Sequence, residues 1–408
     1  MGAAARRRRD RSWGSLPAGP LPRRAGRRVS TPSRLPVDAL LDDPATRIVV
    51  CCGAGGVGKT TTAAALALRA AERGRRAVVL TIDPARRLAQ SMGLGELDNT
   101  PRAVGGVDGT AGGRLDAMML DMKRTFDEVV LAHADPERAQ DILANPFYRS
   151  VSSGFAGTQE YMAMEKLGQL RASDRWDLIV VDTPPSRSAL DFLDAPARLG
   201  TFLDGRFIRV LMAPARRGGR AYVRVVTAGV GVFTNILARV LGAQFLTEVQ
   251  TFVAALDTMF GGFRERADAT YRLLAAPGTA FLVIAAPERD ALREASYFVE
   301  RLAAERMPLA GLVLNRVHEV VPGGGRTPLS ADRAAAGAEA LAETGQHRLV
   351  QALLRLHAER SALAARERRL TERFTAAHPK VAVGRVAARP EDVHDLADLR
   401  AVALDLAG

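Results

Sequence analysis

Apolar positions along the chain gather into short dense runs separated by stretches with helical spacing. The runs are Arg47 to Cys52, Ala77 to Ile82, Leu115 to Asp121, Trp176 to Asp182, Thr279 to Ala286, Leu309 to Val317 and Val381 to Val386. Apolar residues on consecutive rather than alternate positions predict strands buried on both faces. Helix-forming stretches lie between most of them, beginning with Thr60 to Arg73. That alternation predicts an α/β fold with a mostly parallel sheet flanked by helices. Two intervals, 122–173 and 187–277, are too long for simple crossovers and read as mostly helical, with Asp135-Pro136 and Asn145-Pro146 marking breaks. They are expected to form an inserted helical subdomain.

Part of the second interval is unusually apolar. Residues 225–263 carry only three charges, Arg239, Glu248 and Asp257, while Phe233, Ile236, Leu237, Val240, Leu241 and Phe245 open a series at 3- and 4-residue steps. The spacing describes one wide apolar helical face. Taken alone, it fits a helix pair buried in its own core or a groove for an apolar ligand.

Charge lies mainly at the other end. Residues 1–34 hold ten arginines against one acid, Asp10, so nine of the twelve formal positive charges sit there and +3 remains for the other 374 residues. With six prolines and four glycines, residues 1–44 are expected to be a disordered tail and 45–408 the folded domain. A nearly neutral body gives no case for a nucleic-acid partner. The only cysteines, Cys51 and Cys52, are neighbours on a strand and face opposite ways, so neither a disulfide nor a thiol-rich metal site is expected. That usage, with no apolar run of bilayer length, points to a cytoplasmic protein.

The chemistry starts where the first strand ends. Gly53-Ala54-Gly55-Gly56-Val57-Gly58-Lys59-Thr60 satisfies G-x-x-x-x-G-K-[ST] between a strand and a helix, the context that makes this a phosphate-binding loop. Glycines let backbone N–H groups approach phosphate oxygens, and the helix N-terminus adds its positive end. Lys59 would neutralise the β- and γ-phosphates of ATP, and the Thr60 hydroxyl would ligate Mg²⁺. Asp182 ends the run Leu178 to Asp182, where a carboxylate can hold the metal's hydration shell, and Asp83 ends the second strand, where it can orient the attacking water. A strand-end Asp taken alone more often caps a helix; two of them together with the loop favour the nucleotide role. The fold class is thus a P-loop NTPase.

At these residues the chain resembles the arsenical-pump ATPase (ArsA) family, which includes the ATPases that target tail-anchored membrane proteins. The resemblance spans roughly 46–406 and rests on Gly55 to Thr61, Asp83-Pro84-Ala85, Asp182-Thr183-Pro184-Pro185, Gly157 to Tyr161 and Leu314-Asn315. It looks closest to the actinobacterial anion-transporting branch. The resemblance implies catalytic roles for Lys59, Asp83 and Asp182, metal binding by Thr60 and Asp182, and nucleotide contacts from Gly53 through Thr61. It also implies that Asn315 reads adenine and that 183–188 is a loop that moves on hydrolysis.

It further implies a dimer whose nucleotide state opens and closes an apolar helical groove for a hydrophobic peptide or lipid-like cargo, with peripheral membrane contact. One departure matters most: the signature lysine that family members carry before the Gly-Gly pair is Ala54 here. This departure points to a heterodimer with a lysine-bearing paralogue, with a homodimer, or Arg86 or Arg87 standing in for the lysine, as alternatives. It also admits a nucleotide-sensing regulatory subunit with negligible turnover.

Overall fold

The structure is a computed structural model and describes residues 33–82, 87–146, 148–149, 158–184, 265–319, 329–344 and 347–408. Among these, eight strands build one sheet: β1 (Ile48–Gly53), β2 (Arg76–Thr81), β3 (Arg102–Ala103), β4 (Arg114–Met119), β5 (Leu178–Asp182), β6 (Thr279–Ala285), β7 (Leu309–Val317) and β8 (Val383–Ala387). Their order is β3-β4-β2-β5-β1-β6-β7-β8, parallel except for the antiparallel pair β3–β4. Seven strands correspond to the seven apolar runs. The eighth, β3, is two exposed residues with no apolar run to announce it.

Adjacent strand residues point to opposite faces, so each run feeds two cores. Ile48, Val50 and Cys52 join Val78, Leu80, Ile179 and Val181 on one face. Val49 and Cys51 join Val79, Val180 and Leu282 on the other. The second face is covered by the helices Lys59–Glu72 and Leu396–Ala407. The first of these buries six alanines, small side chains that let its axis lie close to the sheet and that favour helix.

The interval 122–173 supplies the helices Met122–His133, Pro136–Ala144 and Thr158–Ala172. Their Val129, Val130, Ile142 and Tyr161 share one core cluster with β1 and β2. On that face these helices pack with one another and share the core of the sheet. Of the interval 187–277, only 265–277 is described, and the apolar stretch 225–263 lies outside the described residues.

Order begins earlier than the proline and arginine content suggests. Residues 33–44, expected to belong to a disordered tail, are tied to the domain; residues 1–32 lie outside the described residues. Arg34 bridges to Val383, and Leu35, Val37 and Leu41 are buried. Helix Val37–Asp42 pairs Asp38 and Asp42 with Arg69 and Arg73 of helix Lys59–Glu72. Three apolar anchors interleaved with acids and prolines are too sparse a signal to read as structure from sequence.

Candidate functional site

β1 sits in the middle of the sheet. The chain leaves it toward β2 on one side, while β6 flanks it on the other, which makes its carboxyl end the topological switch point where ligands of open α/β sheets bind. The loop Gly53 to Gly58 and the first turn of helix Lys59–Glu72 occupy that end. Two glycines there are required by space. A Cβ on Gly53 would lie 2.1 Å from the Ile284 carbonyl oxygen. Gly58 has φ +91°, and a Cβ on it would lie 2.1 Å from Asn315 Nδ2. Gly55 and Gly56 form the exposed crest of the loop, while Ala54 and Val57 are buried beneath it. Lys59 is 6% exposed, and its Nζ donates to the Ala54 carbonyl at 2.7 Å, so the lysine lies back along its own loop.

Strand register delivers the acid. Asp182 is paired with Cys51 across β1–β5 and with Thr81 across β2–β5, and it is fully buried. Its Oδ2 accepts the Thr60 hydroxyl at 2.7 Å and the Thr81 hydroxyl at 2.9 Å. Thr183 is tied down as well, its Oγ1 donating to the Cys51 carbonyl at 2.9 Å. A hydroxyl and a carboxylate oxygen 2.7 Å apart at a helix start are hard oxygen donors of the kind Mg²⁺ takes, so Thr60 and Asp182 fit that ion. Thr81 was not singled out by sequence reasoning; its position at the end of an apolar run, level with Asp182, is the signal that could have found it.

Asp83, Pro84, Ala85 and Arg86 lie outside the described residues, as do the Arg87 side chain and residues 185–264. The backbone just before Asp83 is described and is held on two sides. The Ile82 N–H donates to the Asp182 carbonyl at 3.0 Å, and Gln159 Nε2 donates to the Ile82 carbonyl at 3.0 Å. Ile82 is therefore held between the Asp182 backbone and Gln159, near the start of helix Thr158–Ala172.

The other end of the site is a cavity of about 470 Å³ lined by Gly58 and Thr61 on one side and by Asn315, Arg316, His318 and the stretch 386–393 on the other. Asn315, 9% exposed, donates its Nδ2 to the Val57 carbonyl at 2.9 Å, so it braces the phosphate loop as well as walling the cavity. His318, to which the sequence assigns no role, stands at this wall, joined to Glu367 of the helix Arg348–Ala377. No local motif marks Arg316, His318, Glu367 or 386–393, since they meet only through the fold.

Burial sets the chemistry of the two thiols. Removal from water pushes Cys52 up to about 12 and Cys51 well above the ordinary thiol value, with the Asp182 charge adding to the rise at Cys51. Both remain thiols at neutral pH and, on opposite faces of β1, cannot converge on a ligand. Among the described residues no group of three or more His, Cys, Asp or Glu side chains is placed to hold a metal, and no helix is long and apolar enough to cross a membrane.

Comparison with known proteins agrees with this geometry. A family model described as anion-transporting ATPase matches residues 46–322. A Halobacterium salinarum protein, whose name places it among arsenical pump-driving ATPases, is 28% identical over 52% of this chain and 33% of its own length. Protein Rv2184c of Mycobacterium tuberculosis is 33% identical over 39% of each chain. The ATPase GET3 of Podospora anserina is 23% identical over 70% of this chain and 78% of its own. The chain thus spans well under half the length of the first two relatives.

Proposed function

This chain belongs to the anion-transporting ATPase family, and on that premise we propose that it binds and hydrolyses ATP as a dimer-forming switch protein of the cytoplasm. The observation that carries the reading is the Thr60–Asp182 bond at the carboxyl end of β1, next to Lys59 folded onto its own loop, with a cavity beside Gly58 and Thr61 roomy enough for a base. Backbone N–H groups of Gly55 to Lys59 would cradle the phosphates. Lys59 would exchange the Ala54 carbonyl for a β- or γ-phosphate oxygen, a charge-assisted bond replacing a neutral acceptor. Thr60 and Asp182 are the residues that would hold Mg²⁺, which when bound neutralises charge developing between the β- and γ-phosphates. Asp83, next in sequence after Ile82, would accept the proton of the attacking water. Asn315 would face the base while keeping the loop in shape.

Turnover would act on the helical regions through two links. Asp182 leads directly into 183–188, and Ile82, next to Asp83, is bonded to the start of helix Thr158–Ala172. The apolar stretch 225–263 is the candidate cargo surface, for a hydrophobic peptide or a lipid-like molecule brought to a membrane. Ala54 favours a heterodimer with a lysine-bearing paralogue. It equally favours a second reading, a nucleotide-sensing subunit with negligible turnover, since the residue before Gly55-Gly56 carries no charge to offer a partner.

Single-turnover hydrolysis by the purified chain decides between these. Hydrolysis that is lost in Lys59→Ala and Asp182→Asn supports the ATPase, and hydrolysis unchanged by both substitutions overturns it. Turnover that is abolished by Asp83→Asn yet indifferent to any co-purifying partner overturns the heterodimer. ATP binding without turnover, with or without that partner, supports the sensor.

A further inference from the structure

The cavity beside the phosphate loop depends on a turn that the sheet does not hold by itself. β7 loses its register with β8 between Leu314 and Val317, and Arg316 within that break has φ +61°. A non-glycine residue in this left-handed region persists where its surroundings over-determine it. On one side of the turn, Asn315 is fastened to Val57 of the phosphate loop. On the other stands Glu367, 7% exposed, on the helix Arg348–Ala377. Its Oε2 accepts the backbone N–H of His318 at 2.8 Å, and its Oε1 lies 2.7 Å from His318 Nδ1. A buried carboxylate directs both oxygens at one residue 49 positions away in sequence. Such a group is costly to bury unless it is hydrogen-bonded, and here both of its oxygens are bonded to a residue of the cavity wall.

We propose that Glu367 is a positioning residue for the nucleotide base: through His318 it sets the 315–318 turn, and with it the placing of Asn315 against the phosphate loop. The proposal rests on reading the cavity as the site of the base. It assigns the larger effect of Glu367 to the base, because the phosphate loop keeps bonds of its own through Lys59, Thr60 and Asp182 besides the one from Asn315. With Glu367 ionised, Nδ1 of His318 carries the hydrogen between them, so the pair is a charge-assisted bond whether or not the ring is protonated.

The test compares a ligand that has a base with one that has none. Binding of ADP and of inorganic tripolyphosphate, each with Mg²⁺, is measured by calorimetry on the full chain for wild type, Glu367→Ala, Glu367→Gln and His318→Ala. Glu367→Ala is expected to weaken ADP about tenfold, the size of one charged hydrogen bond, and to leave tripolyphosphate within about twofold. Glu367→Gln keeps an acceptor for the His318 N–H and is expected to recover part of the loss. His318→Ala removes only the ring and is expected to weaken ADP by about threefold, again leaving tripolyphosphate unchanged. Equal weakening of both ligands, or unchanged ADP affinity in Glu367→Ala, overturns the proposal. Should Glu367→Ala fail to fold, unchanged ADP affinity in both other variants overturns it. Wild type that binds neither ligand, or binds tripolyphosphate but gains nothing from the base, overturns the underlying nucleotide reading instead.

Discussion

The two edges of the central sheet use the same strands for opposite purposes. At the amino edge, arginines close off the backbone. Arg75 donates to four carbonyls, those of Leu41, Asp43, Thr46 and Asp177, at 2.7 to 3.0 Å. Arg47 pairs with Asp174, and Arg76 with Asp177, whose carboxyl is held down to about 2 chiefly by the hydrogen bond from that guanidinium. At the carboxyl edge the chain instead runs through glycines into a loop whose exposed crest, Gly55 and Gly56, presents backbone to solvent. The polar side chains there are bonded to loop carbonyls or to one another, Lys59 to the Ala54 carbonyl, Asn315 to that of Val57, Thr60 and Thr81 to Asp182. The amino edge is tied by several charged donors to backbone carbonyls and carboxylates, which serves stability. The carboxyl edge is built around groups that can exchange one partner for another, which a binding site requires.

Substitutions can break this division if it is wrong. The largest effect is expected at the carboxyl edge, where Lys59→Ala should lower ATP turnover by about 10²–10³-fold or more, as removing one preorganised charge from a reacting centre does. Its melting temperature should stay near that of wild type, and a large fall in melting would assign the lysine to stability. Next is Arg75→Ala at the amino edge, which should cost about 2–3 kcal/mol in denaturant unfolding because it strips one charged donor from several buried or half-buried carbonyls. ADP affinity of that variant should be unchanged, and a parallel loss of binding would show the edges to be coupled.

Gly58→Ala is expected to affect both properties. A side chain at φ +91° pressed against Asn315 should cost about 1–3 kcal/mol and weaken ADP, read together by melting and calorimetry. The smallest effect belongs to acid. Asp177 has a folded-state value of about 2 against an ordinary 3.8, so its contribution is complete above the ordinary value and is lost as the pH falls through about 2. Asp177→Asn should therefore be slightly less stable near neutrality, and its melting temperature should fall less steeply between pH 4 and 2 than that of wild type. Identical acid limbs in the two proteins would remove this pair from the account of the amino edge.

Much of this was legible in the residues. The apolar runs mark seven of the eight described strands to within one or two residues, because a strand buried on both faces leaves no polar positions to blur it. The placing of the glycine loop, Thr60 and Asp182 was legible because each sits at a helix start or a strand end, whose place follows from local sequence. Three things were not. Residues 33–44 belong to the fold through three buried anchors, Leu35, Val37 and Leu41, which gain meaning only against the strands and helices they pack with. Thr81 looked like one more strand residue until register set it beside Asp182. Glu367 sat among the arginines of a long helix with nothing to set it apart.

The sequence by itself determined the parallel sheet, the glycine-rich loop at the end of β1, and the hydroxyl and carboxylate that meet beside it. It determined these because each is a property of contiguous residues: periodicity, glycine spacing, the end of an apolar run. Tertiary structure alone decided which remote groups stand around them. It brought Asn315 from β7 onto the loop, joined His318 to a buried Glu367, and closed the opposite edge with arginines. Those contacts join positions from 29 to 258 residues apart, set by strand order and helix packing, and no local pattern in the chain encodes such a distance.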